Sequence, residues 1–425
     1  VRILVVGAGA REHAICRSLA HNPAVDRIYA APGNAGMREF ATLEHLSVGD
    51  IPGIAEFAER ESIDLTVVGP EMPLVAGLAD ELMDRGLPVF GPTRDAAMIE
   101  GSKTWARELC ARHGIPGPVF GGFTNAGEAL AFLDRLEPPY VVKADGLAAG
   151  KGVTIAETRA QAEKAIRDCL VAKVFGDSGS RVVLEECLTG VEVSAFALTD
   201  GKTVLPLSMA QDYKRAVDGD RGPNTGGMGA YTPLPFVDEA MERRIDQQIL
   251  RATVAAMEEE GVRYQGVLYA GLMLSADGPK VLEFNARFGD PETQVVLPRL
   301  ESSLGELMLA CVEGNLAPYK VTWKPEARVG VVMASQGYPG PHDNGKEIGG
   351  LDEVRSLPDV EVYHSGTALR EGRVVTAGGR VLTVSAGGPT LEAARGRAYE
   401  AIDRIRFEGA AYRTDIAAKV PRGQM

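Results

Sequence analysis

Over the first hundred residues, short apolar runs alternate with stretches of helical period. ILVVG (3–7), RIYAA (27–31), DLTVVG (64–69) and LPVFG (87–91) are separated by amphipathic segments near 11–20, 53–61 and 74–85. Each run ends in a Gly or Pro turn, a pattern that predicts a parallel α/β domain over 1–101. Ligands of such sheets lie beyond the carboxyl ends of the strands.

The style changes at 102. A helix over 102–113, with Ser102 as its N-cap, is followed by a Pro/Gly break at 114–118. Strand YVVKA (140–144), a glycine-dense loop at 145–152, strand VTIA (153–156), a helix over 158–171 and strand RVVLEE (181–186) come next. No helix follows the glycine loop directly, so its two strands read as a hairpin over a ligand. Strands at 191–198 and 203–209, a Gly-rich loop at 219–230, a long helix at 238–260 and strands at 267–274 and 280–285 complete a mixed α+β body over 102–325. Over 326–425 the short runs VGVVMA, VRSL, VYHSG and RVLTVSA and a helix at 390–405 predict a small separate α+β domain, entered through the Pro318 to Pro325 region.

Length agrees with that division: 425 residues at ~150 per domain give about three. Charge narrows the partners. Lys and Arg number 45 and Asp and Glu 58, a net of −13, which argues against a broad footprint for nucleic acid or an anionic membrane. An anionic ligand therefore needs a local site. No apolar run is long enough to span a bilayer, and Val1 to Val6 open on a strand pattern with no basic region or cleavage site, so no secretory signal is expected. Five cysteines without a C-x-x-C spacing argue against a disulfide framework or thiolate zinc site and fit a reducing cytoplasm. Glycine stands out at 50 residues, about 12% against a usual ~7%.

Several glycines sit in candidate phosphate loops. Gly7-Ala8-Gly9-Ala10-Arg11-Glu12 departs from a dinucleotide fingerprint, with Glu12 at the third glycine and Ala30-Ala31-Pro32 where an acid would bind ribose. Its amides can still face a phosphate beside Arg11, or the glycines can serve a tight turn alone. Lys143-Ala-Asp-Gly146-Leu-Ala-Ala-Gly150-Lys151-Gly152 is no Walker loop, since only three residues separate Gly146 from Gly150 and a strand follows. Open amides with Lys143 and Lys151 suit phosphates; a solvated hairpin tip is the alternative. Glu185-Glu186-Cys187-Leu188, then Glu192, could form an adenine hinge or an ordinary strand end. In Glu283-Phe-Asn285-Ala-Arg287, the period of two puts Glu283, Asn285 and Arg287 on one face, with Leu282, Phe284 and Phe288 towards the core or the other side. A carboxylate and an amide oxygen suit Mg²⁺ on nucleotide phosphates, and an Arg fork suits a carboxylate or phosphoryl group; a solvent-facing polar stripe is the alternative. Asp212, Lys214 and Arg215, with Asn224, Gly226, Gly227 and Gly229, again suggest backbone approach to an anion or a plain surface loop.

In this order, GAGAREHA (7–14), PGNAG (32–36), VGPEMPLVAG (68–77), FGPT (90–93), EGSK (100–103), KADGLAAGKG (143–152), QDYKR (211–215), GPNTGGMGAY (222–231) and EFNARFGDPETQ (283–294) resemble the ATP-grasp ligases, and within them the phosphoribosylamine–glycine ligase family. The resemblance implies α/β and α+β architecture: an N-terminal parallel α/β (pre-ATP-grasp) domain, a two-lobed ATP-grasp body with an inserted lid at about 119–186, and a small C-terminal α+β domain. It implies small-molecule substrates, ATP, glycine and 5-phosphoribosylamine, which would give glycinamide ribonucleotide, ADP and phosphate through a glycyl phosphate, with no obligatory protein partner.

By the same resemblance, Lys103, Lys143, Gly150 and Lys151 contact phosphates under a covering loop at 145–152. Glu185, Glu186, Leu188 and Glu192 hold adenosine, while Lys214, Arg215 and Asn224 line the phosphate side. Glu283 and Asn285 ligate Mg²⁺ or Mn²⁺. Arg287 takes the glycine carboxylate and transition-state charge, with Asp212 or Asp290 for its ammonium. Gly7, Gly9, Arg11, Gly226, Gly227 and Gly229 attend the phosphoribosyl end. The strand at 267–274 lacks the acidic metal ligand that many ATP-grasp enzymes carry there. Rival readings are a carboxylate-amine or biotin-carboxylase-like ligase with another substrate, a noncatalytic nucleotide-binding or regulatory module and a dehydrogenase. The 211–215 and 222–231 segments disfavour the first, the combined lysines, metal pair and Arg287 the second, and Glu12 the third.

Overall fold

Ile3, Leu4, Val5 and Val6 are all fully buried, so the opening strand Arg2–Gly7 has no solvent face and needs cover on both sides. It lies at the centre of a five-stranded parallel sheet, between Arg27–Pro32 and Leu65–Val68, with Thr42–Leu43 and Val89–Phe90 at the edges. The chain turns to opposite sides from this central strand, so the crevice of the sheet opens beyond Gly7 and Gly69. The computed structural model describes residues 1–147 and 152–421. Gly150 and Lys151 therefore lie outside the described residues.

The helical pattern at 74–85 starts earlier and is two helices, Glu71–Ala76 and Leu78–Asp84, hinged at Gly77, whose φ of +95° an L side chain rarely adopts.

Helix Lys103–Arg112 begins at Ser102, whose hydroxyl accepts the Trp105 amide at 3.1 Å. It leads into a four-stranded antiparallel sheet in the order Phe120–Phe123, Val182–Glu186, Tyr140–Ala144, Val153–Ala156. Helices Ala126–Phe132 and Arg159–Leu170 share a core with it. A second antiparallel sheet runs Val204–Pro206, Val191–Thr199, Gly266–Ser275, Gly278–Asn285. The long helix expected at 238–260 contains a π-helical turn, Asp246–Arg251, between Glu239–Ile245 and Ala252–Glu259.

The sheet of the C-terminal part borrows strands from the preceding residues. Its central strand Ala327–Ser335, fully buried, pairs with Arg380–Gly388 on one side and with Gly229–Thr232 on the other, and Gln211–Asp212 extends the sheet further. The sheet thus crosses the boundary expected at 325/326. VRSL is not a strand: Leu351–Arg355 is a short helix, and Val354 and Leu357 are three residues apart, a helical spacing. All five cysteines are free. No helix among the described residues is long and apolar enough to cross a membrane.

Candidate active site

Where the two antiparallel sheets approach one another, buried charges come together. Lys143, inside strand Tyr140–Ala144, pairs at 2.8 Å with Glu185 on the neighbouring strand and donates to the Leu282 carbonyl at 3.0 Å. Burial lowers the Lys143 pKa against the pull of Glu185. For Glu185, burial is outweighed by Lys143 and Arg107, which hold its carboxyl below the usual range. The Glu185 carboxylate is thus committed to these two cations, and the next residue, Glu186, accepts the Val119 amide at 2.9 Å and pairs with Val119 through its own backbone. Leu188 and Glu192 follow, both partly exposed.

Lys103 is held beside the glycine loop by its neighbours. Its ammonium donates to the Gly146 carbonyl at 3.1 Å and its amide to Asp145. The Asp145 carboxylate accepts from the Ser102 hydroxyl and the Thr104 amide at the start of the Lys103–Arg112 helix, where an anion is favoured.

Across from these cations, Lys214 pairs with Glu192 and lies 3.4 Å from Glu283. Lys214 is the main reason the Glu283 carboxyl falls to about 2, overcoming burial. Asp212 behaves oppositely: burial, with Glu292 and Glu192 nearby, pushes its pKa well up despite Lys214. Asn285 ends the same strand as Glu283. Arg215 is tied to its own hairpin, pairing across from Asn224 and donating to Gly222 at 2.9 Å.

Arg287 lies past the strand end and carries a different set of partners: Glu71 at 3.2 Å and Glu100 at 3.1 Å. The Phe288 carbonyl accepts from both Arg287 and Arg11. Glu100 also accepts the Ala286 amide at 2.7 Å, and burial raises its pKa to about 7 in spite of Arg287.

Glu12, 2% exposed, fills the crevice of the parallel sheet. Its carboxylate accepts the Gly9 amide at 2.6 Å and the Arg11 side chain at 2.5 Å. A Cβ at Gly7 would stand 2.5 Å from Glu12 Cγ, and one at Gly69 would collide with its carboxylate. These glycines make room for Glu12, and the Gly9 amide expected to face a phosphate already has an acceptor.

Asp290 pairs with Arg380 at 2.9 Å, and Arg380 also donates to the Gly226 carbonyl at 2.6 Å. Gly227 has φ +106° and packs on Pro291, whereas Gly229 sits in a strand too close to Gly330 for any side chain. Arg380 borders a cleft of about 390 Å³ lined also by Ala8, Gly33, Asn34, Gly366 and Gly378. A larger cavity of about 1100 Å³, between Asp238, Leu391 and the 417–421 segment, includes none of these residues.

Three groups thus emerge: Lys103, Lys143, Glu185, Glu192, Lys214 and Glu283; Arg287 and Arg11; Asp290 with the 226–227 turn. Sequence reasoning missed Arg107, Glu71, Glu100 and Arg380. Arg107 had a signal, since it lies four residues after Lys103 and shares its helix face. Glu71 and Glu100 stood inside quoted motifs without a role. Arg380 had no local signal.

Family models cover most of the chain: the phosphoribosylglycinamide synthetase N domain over 1–100, its ATP-grasp (A) domain over 101–293 and its C domain over 328–419. The chain belongs to the phosphoribosylglycinamide synthetase family. Among its relatives in that family, phosphoribosylamine–glycine ligase of Vibrio vulnificus is 48% identical over 419 residues, 98% of this chain and 97% of that one. The Allochromatium vinosum ligase is 49% identical, with 98% of each covered. The crystal structure of phosphoribosylamine–glycine ligase from Thermotoga maritima superposes with a TM-score of 0.85 at 34% identity, covering 98% of this chain and all of that one. Biotin carboxylase from Campylobacter jejuni, at 15% identity and TM-score 0.75 over 97% and 92% of the two chains, shares the fold. The expected three-part ATP-grasp architecture is the family's own.

Proposed function

We propose that this chain is an ATP-dependent, ADP-forming ligase that joins glycine to 5-phosphoribosylamine, giving glycinamide ribonucleotide in purine biosynthesis. The observation that carries it is the facing of buried Lys143 by a strand that ends in Glu283 and Asn285, in a chain that aligns end to end with ligases of that name. The substrates are small molecules and the compartment we infer is the cytoplasm; no nucleic acid, membrane or protein partner is needed.

A carboxylate is a poor acyl donor until one oxygen becomes part of a good leaving group. In the proposed sequence, a glycine carboxylate oxygen attacks the γ-phosphorus of ATP and ADP departs. The amine of phosphoribosylamine then attacks the carbonyl carbon of the glycyl phosphate, and phosphate leaves with that oxygen. Such chemistry asks for positioning and charge neutralisation rather than a protein nucleophile.

Lys103 and Lys143 meet the phosphates, as do Gly150 and Lys151, which lie outside the described residues. The backbone at Glu186 and Leu188 meets adenine, and Glu192 the ribose. Glu185 serves by fixing Lys143. Lys214 adds charge on the phosphate side, with Asn224 and Arg215 beyond it. Arg287 orients the glycine carboxylate by exchanging Glu71 or Glu100 for it. Asp212 receives the glycine ammonium, a cation that offsets the cost of its burial. Arg380 and the cleft at Gly33, Asn34 and Gly366 take the phosphoribosyl end. There Asp290, Gly226 and Gly227 hold Arg380 in place, while Gly7, Gly9 and Arg11 shape the floor with Glu12.

The donor set fits a hard divalent cation. Glu283 and Asn285 offer oxygen ligands, and among the described residues no cluster of three or more His, Cys, Asp or Glu competes for it. Mg²⁺ commonly takes one or two protein oxygens and completes its shell from phosphates and water. Glu283 and Asn285 would hold Mg²⁺ or Mn²⁺, and the bound ion would supply neutralisation of phosphate charge.

Glycine labelled with ¹⁸O in its carboxylate tests the sequence. One labelled oxygen should appear in the inorganic phosphate formed with each product molecule; unlabelled phosphate alongside product would exclude the glycyl phosphate.

A further inference from the structure

Strand Gly278–Asn285 changes face part-way along. Val281 and Phe284, three residues apart, are both buried in the core, whereas Glu283 and Asn285 are partly exposed. An unbroken strand repeats every two residues and would put Val281 and Glu283 on one face. A bulge makes the switch: Gly271 pairs with Glu283 and Leu272 with Val281, leaving Leu282 unpaired. Leu282, expected with Phe284 towards the core or the other side, is the half-buried extra residue.

One guanidinium holds that bulge. Arg107 donates to the Val281 carbonyl at 2.7 Å and to the Leu282 carbonyl at 2.6 Å. Its remaining bonds grip Glu185 at 2.7 and 3.1 Å, and Glu185 in turn pairs with Lys143, which shares the Leu282 carbonyl. Arg107, Glu185 and Lys143 are 4%, 2% and 6% exposed. An ion pair alone would need only the two bonds to Glu185; Arg107 makes as many to the strand. A lysine has a single nitrogen and cannot span both carbonyls and a carboxylate in this fork geometry.

We propose that Arg107 is a positioning residue that fixes the bulge aiming Glu283 and Asn285 and, through Glu185, fixes the ammonium of Lys143, so that one side chain sets the metal ligands relative to the phosphate contact. The proposal rests on the roles given above to Lys143 and Glu283.

Full-length Arg107→Lys, Arg107→Met and Lys143→Met proteins test it by thermal melting, by binding of Mn²⁺ with ADP followed by electron paramagnetic resonance, and by steady-state kinetics. Removing an outer partner of a metal site costs about tenfold to a hundredfold in affinity or activity. Arg107→Lys should stay folded, weaken Mn²⁺–ADP binding at least about tenfold, broaden the Mn²⁺ spectrum and lower kcat more than it raises the KM for glycine. Arg107→Lys decides the matter if the Met protein unfolds. A folded Arg107→Lys protein with Mn²⁺–ADP affinity and kcat within twofold of the parent would overturn the proposal, as would loss of folded protein with the remaining fraction fully normal. If Lys143→Met binds Mn²⁺–ADP normally, the phosphate role of Lys143 fails, and with it the basis of the proposal. If Lys143→Met is weakened and Arg107→Lys is not, only the role of Arg107 fails.

Discussion

The ammonium of Lys214 stands between two carboxylates, paired with Glu192 and 3.4 Å from Glu283. It keeps Glu283 ionised down to about pH 2, so this residue is charged at any working pH. Glu283→Gln keeps the shape and removes the charge. Turnover should fall about a hundredfold or more, as expected when a main electrostatic contact in a phosphoryl-transfer site is lost, with an unchanged circular dichroism spectrum. Near-normal turnover would refute the metal role, as would full activity in excess EDTA.

Arg287 offers a planar fork that a lysine cannot copy. Arg287→Lys should raise the KM for glycine about tenfold to a hundredfold, the equivalent of one charge-assisted bond of ~1.5–3 kcal/mol, while ATP affinity changes little. Isothermal titration with each substrate separates the two. An unchanged glycine KM removes Arg287 from the carboxylate site.

Glu100 supplies a pH signature. Its carboxyl titrates near 7 in the folded protein, mainly because it is buried, against an ordinary value of 4.5. Below 4.5 both folded and unfolded chains hold the proton; between the two values only the folded chain does; above 7 both are charged and the burial cost is fully felt. Stability should therefore decline as pH rises through this window, by on the order of 3 kcal/mol from this group. Glu283 acts in the opposite sense, but only below 4.5, where its contribution is lost as pH falls towards 2. Urea unfolding of the parent and Glu100→Gln at pH 5 and pH 8 checks the sign: the parent should lose stability relative to the variant at pH 8, and parallel curves would contradict it.

Gly69 directly follows strand Leu65–Val68, and a Cβ on it would collide with a Glu12 carboxylate oxygen. Gly69→Ala has to displace a buried carboxylate that holds the Gly9 amide and Arg11, so it should destabilise the chain by about 1–3 kcal/mol. Thermal melting reads this directly, and an unchanged melting temperature would show that Glu12 has room to move.

Much of this is legible in the sequence. Residues 3–6 of the opening strand are a buried, continuous apolar run, the strands around the glycine loop begin and end where their patterns do, and Ser102 caps its helix as a serine before a helical period should. Most of what escaped had no local pattern. Gln211–Asp212 is too short to show a period, so nothing announced that the C-terminal sheet reaches back across residue 326. The Leu282 bulge breaks the alternation that strand reading relies on. VRSL, expected as a strand, carries its apolar residues Val354 and Leu357 at a helical spacing. Arg380 meets Asp290 only through the fold, 90 residues away. Glu71 and Glu100 were hidden differently, because their role depends on Arg287, which reaches them from another part of the chain.

The central claim is tested most directly by incubating the folded protein with ATP, Mg²⁺, glycine and freshly generated phosphoribosylamine, and following ADP and glycinamide ribonucleotide together. The account predicts equal amounts of both, with product absent when glycine or phosphoribosylamine is left out. No glycine-dependent ADP release and no glycinamide ribonucleotide from correctly folded protein would contradict it.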